Sequence, residues 1–70
     1  MAQTYTAVIT ERDDWWIGWV EEIPGVNCQE KTRAELLETL SVTLKEALDF
    51  NRHEALQAAG EPYEEELIQV

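Results

Sequence analysis

The sequence predicts an α+β fold in a single domain, residues 1–70: a three-stranded antiparallel meander, one long helix packed on one face, and a short C-terminal strand. Three observations predict it. Apolar residues alternate with period two through the first third of the chain, and they recur at three-and-four spacing through the long segment that follows. Arg12-Asp13-Asp14, Ile23-Pro24-Gly25 and the Gly60/Pro62 pair punctuate the joins. The element order is therefore β-β-β-α-β.

Tyr5 to Glu11 sets Tyr5, Ala7 and Ile9 against Thr6, Val8 and Thr10, a β-branched alternation that predicts the first strand. After the Arg12-Asp13-Asp14 turn, Trp15 to Glu22 alternates again, with Trp15, Ile17 and Trp19 on one side and Trp16, Gly18 and Val20 on the other. The two runs form a hairpin. Gly18 inside a strand marks a bulge or a spot where another group approaches closely, and the helix is the candidate for that group. Pro24-Gly25 breaks the second strand, and Val26 to Glu30 is a short third one.

Thr32-Arg33-Ala34-Glu35 reads as a capping box that opens a helix running to about Ala59. Leu36, Leu37, Leu40, Leu44, Ala47, Leu48 and Asn51 share one side of it, with Glu38, Ser41, Lys45, Asp49 and Arg52 turned away. Phe50 lies at the edge of the stripe, and Val42 and Leu56 fall off it as candidates for contacts outside the core. Gly60 and Pro62 stop the helix. Leu67-Ile68-Gln69-Val70 is a β-prone end, which a right-handed crossover would deliver to the free side of the first strand.

Seventy residues bury too small a fraction of their surface for comfortable stability without a staple. The lone Cys28 excludes an intrachain disulfide and any CxxC motif, so association into a homodimer or larger assembly is the expected staple, with an exposed sheet edge as one natural site. Five basic against fifteen acidic residues give a formal charge of −10, which disfavours direct binding of nucleic acid or anionic lipid. No basic-then-apolar leader follows Met1 and no apolar run approaches the ~18 residues of a membrane span, so a cytoplasmic protein is expected.

Tyr5-Thr6-Ala7-Val8-Ile9, then Trp16-Ile17-Gly18-Trp19-Val20-Glu21-Glu22-Ile23-Pro24-Gly25, then Asn27-Cys28-Gln29-Glu30-Lys31-Thr32 and the Glu- and Leu-rich helix with Glu46-Ala47-Leu48, taken as an ordered set, resemble the HicB family of antitoxins of type II toxin-antitoxin systems. The resemblance covers nearly the whole chain. It implies a partial RNase H-like domain that binds and neutralises a small basic HicA-type toxin, an mRNA-cleaving protein, by masking its RNA-binding surface. Many members add a C-terminal DNA-binding module. This chain, read to Val70, is expected to be a stand-alone form without one, leaving any repressor role to another protein.

Two-metal nuclease chemistry on such a sheet needs carboxylates projecting from the strands toward a shared metal pair. Tyr5 to Thr10 carries none, and Glu11, Asp13, Asp14, Glu21 and Glu22 sit at turns and strand ends, where solvated charge is the better reading. His53 and Asp49 are one helical turn apart but lack a third ligand at recognisable spacing, and Cys28 reads as a small buried strand residue. No catalytic, cofactor or metal site is expected. The tryptophans are too acidic in context for a base-stacking platform, so whichever of their faces is not core becomes the candidate partner surface. Trp16 and Trp19, the neighbours of Gly18, are its candidate anchors, with Glu21 and Glu22 as a charged rim. The alternative to an antitoxin is a non-catalytic ligand-binding or structural homo-oligomeric domain with no toxin partner.

Overall fold

The computed structural model describes residues 4–70 and contains three strands, β1 (Ala7–Arg12), β2 (Trp15–Val20) and β3 (Asn27–Glu30), followed by one helix, α1 (Arg33–Ala59). The sheet is antiparallel in the order β1-β2-β3. Arg12 pairs with Trp15, which shortens the predicted three-residue turn to Asp13-Asp14. Both aspartates have positive φ, 50° and 68°, the pattern a two-residue hairpin needs to match the twist of its strands. Asp tolerates it because its short polar side chain can bond locally.

At the other end of the hairpin the ladder outlasts the strands. The Val20 amide donates to the Val26 carbonyl at 3.0 Å, and the Glu21 amide donates to the Thr6 carbonyl at 2.9 Å. Ile23-Pro24-Gly25-Val26 then turns, with the Val26 amide on the Ile23 carbonyl and Gly25 at φ 90°. Proline presets the first corner and glycine supplies the positive φ of the second.

Helix α1 begins where the capping box places it. The Glu35 amide donates to Thr32 Oγ1 at 3.1 Å, while the Thr32 hydroxyl donates to Glu35 Oε1 at 2.9 Å. In a capping box the Glu carboxylate reaches back to the N-cap amide; here the Glu35 carboxylate closes the loop through the Thr32 hydroxyl instead. The helix lies over β2 and β3, leaving β1 beside its footprint. Val20, Val26, Leu36 and Leu40 form the buried core, surrounded by Tyr5, Ile9, Trp16, Ile23, Cys28, Leu44 and Ala47. Gly18 is where helix and sheet touch: a Cβ there would stand 3.0 Å from Ile9 Cγ2 and 3.1 Å from both Leu36 Cδ2 and Leu40 Cδ1. Two side-chain bonds tie α1 to β3, from the Thr39 hydroxyl to Glu30 Oε2 at 2.7 Å and from the Cys28 thiol to Thr43 Oγ1 at 3.5 Å.

Two sequence expectations fail, for one geometric reason. A 27-residue helix is about 40 Å long, while a six-residue strand covers about 20 Å, so the second half of α1 overhangs the sheet. The apolar stripe is consequently buried only at Leu36 and Leu40 and half-buried at Leu44, Ala47 and Leu48, while Leu37 and Asn51 are exposed. The predicted C-terminal strand is not formed: residues 67–70 pair with no strand among the described residues, and Leu67 and Ile68 are 100% and 86% exposed. The overhang carries the chain end away from β1, whose outer edge has no strand beside it among the described residues. Leu56, expected off the core, is half-buried beside the chain's own tail near Tyr63.

Candidate partner-binding face

The register sorts the tryptophans. Residues opposite each other in the ladder share a face, so Trp16, Gly18 and Val20 lie with Glu11, Ile9, Ala7, Cys28 and Glu30 on the helix side. Trp15, Ile17 and Trp19 lie with Arg12, Thr10, Val8, Gln29 and Asn27 on the other side, which no element among the described residues covers. Trp16 is therefore half-buried against the core, and of the two candidate anchors only Trp19 faces out.

Trp19 is 40% exposed and stands between two shallow depressions. One, of about 420 Å³, is bounded by Ile17 and by Asn27 to Gln29 of β3; the other, about 490 Å³, runs along the Ile23-Pro24-Gly25 loop to Val26. At the far end of the face, Lys31 Nζ sits 3.9 Å from the centroid of the Trp15 ring, where the π-face attracts the ammonium and covers part of the indole. Trp19 has no such cover and is the more available anchor.

The carboxylates are placed around this face, not on it. None of its strand positions is a carboxylate, and Arg12 and Lys31 mark one end; Asp13-Asp14 and Glu21-Glu22 sit at the turns beyond the strands. Glu21 is exposed. Glu22 is engaged within the chain: its carboxylate accepts the Thr6 amide at 2.8 Å and the Thr6 hydroxyl at 2.7 Å, fastening the chain before β1 to the end of the hairpin. The backbone and hydroxyl donors of Thr6 hold the Glu22 carboxyl below its ordinary pKa. The two glutamates of the expected rim thus differ in role.

The remaining chemical groups are dispersed. Cys28 is half-buried on the helix side, and no cluster of three or more His, Cys, Asp or Glu able to hold a metal occurs among the described residues. Val8, Thr10 and Lys31 belong to the open face although sequence reading did not single them out. The signal was present in the alternation, but pairing β1 with β2 residue by residue needed the true turn length, since a one-residue slip exchanges the faces.

Comparison with known proteins adds no relative: no protein-family model, no curated protein and no solved structure matches the chain. No helix among the described residues is long and apolar enough to cross a membrane.

Proposed function

We propose that this chain is a non-catalytic protein-binding module that neutralises a small basic RNA-cleaving protein of the HicA type in the cytoplasm, by seating the uncovered face of its sheet on that protein's RNA-binding surface. The observation that carries the reading is the position of Trp19, 40% exposed near one end of β2 on a carboxylate-free sheet face that no element among the described residues covers. The resemblance of the ordered strand and helix motifs to HicB antitoxins supplies the class of partner.

The charge pattern supports the same reading. Interfaces gain affinity from a desolvated aromatic centre, whereas a carboxylate there would have to shed its water at large cost. Carboxylates at the rim act differently. A chain of net charge −10 attracts a basic partner at long range and speeds encounter, an effect that salt screens. Asp13, Asp14 and Glu21 are in that outer position, and Glu22 serves the hairpin itself.

The test is whether a short Lys/Arg-rich protein co-purifies with this chain, followed by an RNA-cleavage assay. The parent chain is expected to co-purify and inhibit, and Trp19→Ala to weaken inhibition at least tenfold while the fold is retained. Absence of a co-purifying basic protein, or a folded Trp19→Ala variant that inhibits like the parent, would overturn the reading.

A further inference from the structure

We infer that a second copy of this chain completes the sheet: residues 67–70 of each protomer add as a fourth strand to the free edge of β1 in the other, over a groove between β1 and the helix. The groove, about 270 Å³, is lined by Tyr5, Ala7 and Val20 on the sheet side and by Leu37, Leu40 and Leu44 on the helix side. It exists because α1 sits over β2 and β3 and leaves β1 beside it. Along it runs the outer side of an edge strand, whose backbone groups have no strand to pair with among the described residues.

The same chain holds the matching piece. Ile68 and Val70 alternate with Leu67 and Gln69, so a strand laid on β1 with its polar Gln69 toward solvent directs Ile68 and Val70 into the groove. The sheet ends in two edge strands, β1 and β3, of which β1 borders the groove, so each protomer offers one groove-lined edge and one strand-forming segment, the one-to-one stoichiometry a closed two-fold exchange requires.

Reach decides between a protomer's own tail and its partner's. Ala59 lies about 22 Å along the helix beyond Leu44, the near end of the groove. The tail then doubles back over Arg52, Ala55, Leu56 and Ala59, with Arg52 Nε 3.8 Å from Glu65 Oε1. From Arg52 to Leu44 is a further ~12 Å, and the five residues from Glu66 to Val70 span at most ~17 Å, so on this course only Gln69 and Val70 come level with the near end of the groove. A strand along β1 must then come from another molecule.

Surface area points to the same occupant. A compact monomer of 8.1 kDa exposes about 4,500 Å². This chain exposes 6122 Å², an excess of about 1,600 Å² per protomer, and the resulting ~3,200 Å² per pair falls within the range of permanent homodimers. Its radius of gyration is 15.1 Å where about 11 Å is usual for 70 residues. The overhang and the tail supply much of that surface, with Phe50 63% exposed on the helix.

The experiment measures mass by sedimentation equilibrium at about 10 µM for the full chain, for Ile68→Asp, for Leu37→Asp and for their equimolar mixture. The parent is expected to be a dimer. Each variant alone is expected to dissociate with a constant raised about 100-fold, while the mixture regains a dimer, because the intact tail of Leu37→Asp still meets the intact groove of Ile68→Asp. Circular dichroism of Ile68→Asp, altered only in the exposed tail, guards against loss of fold. A monomeric parent, a dimer indifferent to Ile68→Asp, or a monomer whose own residues 67–70 are protected from hydrogen exchange would overturn the inference. None of these outcomes depends on a basic partner, so this inference and the proposed function stand or fall separately.

Discussion

Replacing Gly18 by Ala tests the helix-sheet contact most directly. The added methyl would meet three carbon atoms at 3.0–3.1 Å, closer than van der Waals contact. All three belong to side-chain ends that can give way only if their surroundings allow, and Leu36 is 0% and Leu40 3% exposed. Overpacking of this kind costs about 1–3 kcal/mol, against which removing a glycine from a strand returns about 0.5–1 kcal/mol of backbone entropy. The net expectation is a loss of about 1–2 kcal/mol, or roughly 5–15 °C in Tm for a domain of this size. Thermal and urea unfolding followed by circular dichroism would measure it. Because the clash is partly with Leu40, Gly18→Ala combined with Leu40→Ala should cost less than the two changes separately. A Tm equal to or above the parent's in Gly18→Ala would show that the helix does not approach the sheet at Gly18.

Other consequences are equally open to measurement. Leu36→Ala should cost about 2–5 kcal/mol in the same unfolding assay, and Leu44→Ala distinctly less, because Leu44 is only half-buried at the end of the sheet. Thr32→Ala should cost about 0.5–2 kcal/mol, since one oxygen both accepts the Glu35 amide and donates to its carboxylate. The Glu22 pKa is depressed in the folded chain, so its contribution to stability is present above the ordinary value of 4.5 and is lost as the pH falls through the lowered one. Tm profiles of the parent and Glu22→Gln should therefore differ most near neutral pH and converge in acid. Arg52→Ala should shift stability by less than about 1 kcal/mol, because the Arg52–Glu65 pair is largely exposed.

Reading the chain from Tyr5 to Ala59 without a structure recovered the meander, the long helix, its cap and the approach at Gly18, because each depends on neighbours in sequence. Alternation of β-branched residues, the Thr32-to-Glu35 spacing, and glycine beside proline act over two to four residues and carry their own physical cause. Three matters were settled only by tertiary geometry. The length of the turn at Asp13-Asp14 fixed which residues of β1 and β2 pair, and through the pairing which residues of β1 join Trp19 on the open face. The role of Glu22 arose from Thr6, sixteen residues away, whose two donors hold its carboxylate. The fate of Leu67 to Val70 depended on the mismatch between a 27-residue helix and six-residue strands, which carries a β-prone segment away from the edge it would pair with. Periodicity tells where an element can lie, but only the relative lengths and positions of packed elements tell whether its partner is within reach.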